Sequence, residues 1–163
     1  MDKNEQIREA LRNIAKQVGP DCSLLAKVKS VDEDEQTCVL WDDDTELEFR
    51  EVRLRPVMDG KESVTLFPKV GSWGLAIRIE EDNEWMLLNS GEIDKWRLSI
   101  GQTIIEQDAE GLLIKKENDT LRKALELIIE AVSKVVVIQG QNPDYVKLEQ
   151  ALTIIKNVLK DGT

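Results

Sequence analysis

The spacing of apolar side chains divides the chain into a short helical stretch, a long stretch of alternating residues and a second helical stretch. Residues 3–18 carry apolar side chains at the i, i+3, i+4, i+7 spacing of an amphipathic helix, which Gly19 and Pro20 end. From Cys22 onward apolar and polar residues alternate with a period of two, which predicts β-strands. We therefore expect an N-terminal amphipathic helix over residues 1–20 and a β-rich region behind it.

The alternating stretch predicts a small barrel over residues 21–94. The strands are expected from residue 22 to about 30 and then at 37–41, 46–49, 64–67, 73–80 and 84–88. Residues 52–57 either continue the strand at 46–49 or form a fourth strand. So many short strands in roughly seventy residues fit a five-stranded Greek-key barrel, because a two-sheet sandwich usually needs about 100 residues.

A narrow β-ribbon is predicted over residues 95–116. Three very short strands begin at Trp96, Thr103 and Leu112, and Gly101 and Gly111 separate them. A ribbon of this width buries little apolar surface by itself. We therefore expect it to pair with copies of itself.

Residues 117–163 predict a helical hairpin. The first helix, capped by Asn118 or Asp119, carries a heptad-like seam of Leu121, Leu125, Ile128, Val132 and Val135. The second helix opens at Asn142-Pro143 and carries a seam of Tyr145, Leu148, Leu152, Ile155 and Leu159. The two seams could close on each other, or the first could pack against symmetry mates.

Charge and composition narrow the function classes. The 163 residues are 41% hydrophobic and 33% charged with a net charge of −10, and residues 21–60 carry twelve acids against five bases. Such a chain repels phosphate backbones, so no nucleic acid is expected as a partner. No apolar run has the length of a membrane span, and no apolar signal segment is seen at the N-terminus. We expect synthesis in the bacterial cytoplasm and no membrane span.

The reactive side chains give no catalytic pattern. The chain has no histidine, which removes Ser-His and Cys-His nucleophilic pairs. Cys22 and Cys38 lack the spacing of a zinc site; both lie in predicted strands and are expected to be small buried hydrophobes, with a disulfide conceivable if the strands pair. Acids occur in runs such as Asp42 to Asp44, typical of solvated turns rather than of a glycosidase pair or a Ca²⁺ loop. We expect no enzyme, no catalytic residue, no metal site and no cofactor.

One corner of the predicted barrel has a characteristic sequence. Residues 67–75 read Phe-Pro-Lys-Val-Gly-Ser-Trp-Gly-Leu, and Pro68, Gly71 and Trp73 form a turn in which Pro sets the approach and Gly permits the bend. Together with residues 28–32, 38–39 and 52–57, this corner makes the segment from Val28 to Glu92 resemble the oligonucleotide/oligosaccharide-binding (OB-like) domain of phage baseplate and tail-spike proteins. It also resembles the related spikes of contractile injection systems.

The resemblance implies a structural role without catalysis. In that family an OB-like domain precedes a glycine-punctuated ribbon that intertwines with two copies as a trimeric β-helix or prism. It implies a homotrimer that contacts other tail and baseplate proteins, in the virion tail or an injection-device particle. The chain departs from long spikes: the ribbon has about twenty residues, helices replace the tip, and the His-x-His iron-binding apex is missing. A hub, adaptor or shortened spike is therefore expected.

Candidate interface residues come from the barrel, the ribbon and the first helix. Arg53 and Arg55 fall on one face of a predicted strand and could pair with acids of a neighbouring subunit, or within the chain with Glu46, Glu48 or Glu51. The ribbon and helix contribute Trp96, Ile104, Leu113, Leu121, Leu125 and Ile128. Two other functions stay open. One is an OB module that binds single-stranded nucleic acid through Arg50, Arg53, Arg55 and Lys61; the other is a protein-binding adaptor unrelated to phages.

Overall fold

The computed structural model describes residues 5, 7, 8, 22–56, 62–79 and 84–162, and these form two β-sheets followed by two helices. The strands are β1 (Ser23–Asp32), β2 (Thr37–Asp42), β3 (Leu47–Arg53), β4 (Ser63–Pro68), β5 (Trp73–Ile79), β6 (Glu84–Ser90), β7 (Ile93–Ile100), β8 (Thr103–Asp108), β9 (Gly111–Lys116) and β10 (Asp119–Thr120). The helices are α1 (Leu121–Ser133) and α2 (Tyr145–Val158). The predicted N-terminal helix lies almost wholly outside the described residues; Glu5, Ile7 and Arg8 are described and are helical.

The first sheet is a closed five-stranded barrel in the order β1-β2-β3-β6-β5. Its neighbours are antiparallel, except that β3 and β6 close the barrel in parallel at a single position, where Arg53 lies opposite Met86. Alternate residues of each strand point into the barrel. On β1, Ala26 and Val28 are therefore buried, whereas Leu25, which points outward, is exposed. The predicted mainly β fold, with a five-stranded barrel and C-terminal helices, is confirmed.

Of the one or two strands expected at 46–49 and 52–57, the described residues form one, β3. The register against β2 shifts between Cys38 and Leu40, and Glu51 adopts a left-handed φ of 55°. This irregularity is a β-bulge, which adds a residue and interrupts the alternation without ending the strand. Arg55, expected on the same strand face as Arg53, lies beyond the end of β3.

The predicted ribbon is part of a larger, second sheet with the order β10-β9-β8-β7-β4. Strand β4 belongs to the segment assigned to the barrel, yet it pairs antiparallel with β7, from Ser63 opposite Ser99 to Phe67 opposite Lys95. This pairing occupies the outer backbone edge of β7 and widens a marginal ribbon to five strands. Thr65 and Phe67 of β4 are buried, and Phe67 lies in the barrel core, so β4 joins the two sheets across the boundary predicted at residue 95.

Both helices begin later than predicted. Thr120, not Asn118 or Asp119, caps α1 by accepting a hydrogen bond from the Lys123 amide at 3.1 Å, because Asp119 and Thr120 first pair with β9 as β10. Asp144 caps α2 in the same way through the Lys147 amide, also at 3.1 Å.

The two helices contact each other as a hairpin without burying any residue completely. The half-buried apolar residues are Leu125 and Ile129 on α1 and Leu148, Ala151, Leu152 and Ile155 on α2.

Candidate assembly surface

The corner predicted from Pro68, Gly71 and Trp73 joins β4 to β5 and is bound to β1. Pro68 is buried at the end of β4, and Gly71 has a φ of +88°, a conformation that glycine adopts without strain. The Gly71 amide donates to the Val28 carbonyl at 2.7 Å, and the Val28 amide donates to the Ser72 carbonyl at 2.9 Å. Trp73 itself is 48% exposed and lies under the Lys27 ammonium group, 5.2 Å from the ring centroid.

Polar contacts also bind the corner to the turn between β6 and β7. The Lys69 amide donates to the Glu92 carbonyl at 3.0 Å, and the Lys69 ammonium group pairs with the Glu92 carboxylate at 2.6 Å. The hydrogen bond to Glu92 raises the pKa of Lys69 above its usual value. Ser72 Oγ donates to the Lys69 carbonyl at 2.7 Å. These bonds hold the start of the second sheet in place beside the barrel.

The second sheet carries an apolar face, and the strand pairing shows which residues share it. Leu98 lies opposite Val64 on one side and Ile105 on the other, and Ile105 lies opposite Ile114. Residues directly opposite in antiparallel strands share a face. The large apolar residues that share it, which we call the apolar sheet face, are Val64, Leu66, Trp96, Leu98, Ile100, Ile105, Leu112 and Ile114.

Within the part of the chain that the structure describes, no element covers the whole of the apolar sheet face. Val64 is 64%, Ile100 57% and Leu66 41% exposed, and its other members are half-buried. Among the described elements outside this sheet, the two helices pack at its β9 and β10 edge, and β1 contacts β4 at its other edge. Monomeric proteins rarely expose contiguous apolar patches larger than a few hundred Å². The apolar sheet face is therefore a candidate interaction surface.

The opposite face of the second sheet is mixed in character, and its charged side chains pair within the chain. Glu106 accepts hydrogen bonds from Arg97 at 2.7 Å and from Lys160 at 3.0 Å, and Lys160 also pairs with Asp108. Burial alone would raise the pKa of Glu106, but the hydrogen bonds from Lys160 and Arg97 outweigh it and hold the pKa below its usual range. Leu159 pairs with Leu112 as an isolated parallel bridge, so the end of α2 is bound to the β9 edge.

The interface candidates of the ribbon do not share one face. Trp96 lies on the apolar sheet face, where its indole N–H donates to Gln107 at 3.2 Å. Ile104 and Leu113 lie on the opposite face, and Leu113 is only 7% exposed in the single chain. Sequence reasoning missed most of the apolar sheet face, although the alternation within β7, β8 and β9 contained the signal.

The candidates on α1 differ from one another in exposure. Leu121 is 40% and Ile128 59% exposed, whereas Leu125 is half-buried in the helical hairpin. The predicted first seam is therefore divided between the contact with α2 and a surface that faces away from it.

The arginines of the barrel form ion pairs within the chain. Arg53 pairs with Glu84 of β6 rather than with the acids nearer in sequence, and Arg50 pairs with Glu48 at 2.9 Å. Arg55 is half-buried, and residue 61 lies outside the described residues. Of the four bases considered for nucleic-acid binding, Arg50 and Arg53 are thus each paired with a carboxylate.

A groove lies between β4 and β6, beside the point where the barrel closes. Its volume is about 220 Å³, and its walls include Leu54, Val64, Leu66, Pro68, Met86 and Leu88. Leu88 is 55% exposed. Because Val64 and Leu66 belong to both surfaces, the groove continues the apolar sheet face around the edge of β4.

The acidic side chains of the turn after β2 are bound by neighbouring groups of the same chain. The Asp42 carboxylate accepts hydrogen bonds from the Asp44 amide at 3.0 Å and from Thr45 Oγ1 at 2.6 Å, and Asp43 pairs with Lys27. Within the part of the chain that the structure describes, no three Asp, Glu, Cys or His side chains come together as a possible metal site.

Cys22 and Cys38 form no disulfide, and the expectation that both are buried holds for Cys38 alone; Cys22 precedes β1 at the surface. No helix among the described residues is long and apolar enough to cross a membrane.

Comparison with known proteins identifies no relative. No family model, no curated protein and no solved structure matches the chain significantly.

Proposed function

We propose that the chain is a structural subunit of a phage-type tail baseplate or injection device, a hub or adaptor that works as a homotrimer without catalysis. Its partners are two further copies of itself and neighbouring tail proteins, and its place is the tail of the particle. The barrel with its Pro68-to-Trp73 corner supports the resemblance on which the tail assignment rests.

The observation that carries self-assembly is the apolar sheet face. Eight large apolar side chains lie on one side of a sheet whose other side is already bound to the barrel and to the C-terminal segment. Three such faces around one axis would exclude water from all of them, and apolar burial is the main favourable term in association. The family resemblance supports three copies rather than two.

The test is the solution mass, measured by light scattering after size exclusion. We expect three times 18.5 kDa, and a mass that persists on dilution through the micromolar range. Ile100→Glu places a charge on the apolar sheet face at an exposed position and should yield the monomer with unchanged circular dichroism. Ile154→Glu, at a 61% exposed position on α2, is the matched control and should remain trimeric.

A wild-type chain that elutes with the mass of a monomer would contradict the homotrimer, and a monomeric adaptor would then be the remaining hypothesis. A stable dimer would retain self-assembly but contradict the threefold arrangement.

A further inference from the structure

The loop between the two helices exposes an apolar segment. Residues 135–138 read Val-Val-Val-Ile and lie outside regular secondary structure. Val136 is 81% and Ile138 95% exposed, whereas Val137 between them is half-buried. The loop thus presents two large aliphatic side chains to solvent.

The loop is held in this arrangement by two polar contacts. The Val137 amide donates to Asn142 Oδ1 at 3.1 Å, and the Tyr145 hydroxyl donates to the Val135 carbonyl at 3.3 Å. Asn142 is therefore used to shape the loop rather than to cap α2. A shaped loop with exposed aliphatic tips loses little conformational entropy when it binds.

The groove beside β4 offers a complementary site. Strand β4 is the last strand of the second sheet, and β6 meets β3 only at Met86. Among the described residues, the β4 edge away from β7 therefore has no ladder partner, and neither does the β6 edge beyond Met86. An apolar groove between two unpaired strand edges accepts an apolar β-branched segment well. A cavity of roughly 150 Å³ is enough for a benzene molecule, so about 220 Å³ suffices for the tips of this loop.

We propose that Val136 and Ile138 of one copy insert into the groove of a neighbouring copy. This inference rests on the proposed self-assembly and names a second contact in it. Loop and groove belong to the same chain, and the loop does not line the groove of its own chain, which leaves the groove open to the loop of another copy. Such a head-to-tail contact closes into a ring when it repeats around an axis. Every interface of a threefold trimer is of this head-to-tail kind, so the contact is compatible with three apolar sheet faces on the axis.

Disulfide trapping tests the contact. Leu88→Cys and Val136→Cys are combined in a Cys22→Ser chain; Cys38 is retained because burial leaves it 2% exposed. Mild oxidation should yield covalent dimers and trimers, and no longer species, on a non-reducing gel. The matched control pairs Val136→Cys with Leu47→Cys, at a 55% exposed position on β3, and should stay monomeric on the gel.

The charge variants Leu88→Asp and Ile138→Asp complete the test, with Leu47→Asp as their control. Each of the first two should raise the concentration at which half the protein is trimeric by about tenfold or more, since each places a charge where an aliphatic side chain is buried. Mixing the two should restore dimers, because the groove of one variant and the loop of the other remain intact.

The outcomes separate this contact from the proposed trimer. A wild-type trimer that gives no more cross-linking than its control, and that tolerates both charge variants, overturns the loop-in-groove contact and leaves the trimer standing. A wild-type monomer overturns both. Cross-linked species longer than trimers would overturn the closed ring.

Discussion

Lys160 ends 3.0 Å from Glu106, and this ion pair fastens the C-terminal segment to the second sheet. Both side chains are nearly buried, with exposed fractions of 13% and 9%. Arg97 binds the other oxygen of Glu106, and Asp108 accepts a further bond from Lys160. A carboxylate so enclosed is tolerated because cations surround it. The network therefore acts together with the Leu159–Leu112 bridge to bind the C-terminal segment to the second sheet.

Replacing Lys160 with Met should lower the free energy of unfolding by about 2 kcal/mol, the scale of a hydrogen bond between charged groups. Glu106 keeps Arg97, so the loss should stay below that of a fully orphaned buried charge. Urea unfolding followed by circular dichroism measures it. Lys156→Met, at an exposed position on α2, is the control and should change stability little. Equal losses in the two variants would show that the Lys160 network adds nothing to stability.

Acid should weaken the same network. Burial acts to raise the pKa values of Glu106 and Asp108, but hydrogen bonds from Lys160 and other donors lower both below their ordinary values of 4.5 and 3.8. Groups with depressed pKa values in the folded state contribute stability above their unfolded pKa and lose it as the pH falls. We expect stability to be constant from pH 7 to about 5.5 and to decline below about pH 4.5.

The variant Glu106→Gln tests that pH dependence. It should be less stable than the wild type at pH 7 and should lose less stability between pH 7 and pH 3, because one titrating carboxylate is gone. Glu117→Gln, at an exposed position beside β9, should follow the wild-type curve. Parallel curves for all three proteins would contradict the assignment of the acid sensitivity to Glu106.

The corner glycine has a conformational role that a side chain should disturb. Gly71 has a φ of +88°, while nothing lies within 4 Å of a Cβ placed there. Gly71→Ala should therefore cost about 1 kcal/mol from backbone strain alone, and the melting temperature should fall by about 3 °C.

Gly91→Ala is the matched control for the corner. The nearest atom to a Cβ at Gly91 is the Trp73 carbonyl oxygen at 3.6 Å, an ordinary contact. Calorimetry should show little change for Gly91→Ala; a melting temperature for Gly71→Ala as high as the wild type would mean that the corner relaxes without cost.

The barrel strands were predictable because each of them buries only one of its two faces. Val28 faces the core and Leu25 faces solvent, and such alternation is visible in the sequence. The partner of each strand was not predictable in the same way. Alternation says which residues of β4 share a face but not that β4 pairs with β7, because that choice depends on competition between distant strands.

The candidate surface was only partly predictable for the same reason. Trp96 belongs to the apolar sheet face because the register places it opposite Leu66, and one residue of slip would turn it to the other side. On α1 the apolar residues form one broad face, wider than the contact with α2. Helical spacing alone could not tell that Leu125 packs in the hairpin while Ile128 stays exposed.

The two cysteines should differ sharply in reactivity. Cys38 is 2% exposed in the barrel core, and burial raises the pKa of its thiol to about 12. Roughly one thiol in ten thousand is then ionised at pH 8, and the thiolate is the reactive form. Cys22 lies at the surface before β1.

An aromatic disulfide reagent should therefore titrate one thiol per native chain within minutes and two after unfolding in guanidinium. In Cys22→Ser the rapid reaction should vanish and the slow one should remain, at a rate set by opening of the barrel. Two rapidly reacting thiols in the native wild type would mean that the barrel opens freely at Cys38, against the closed β1-β2-β3-β6-β5 arrangement.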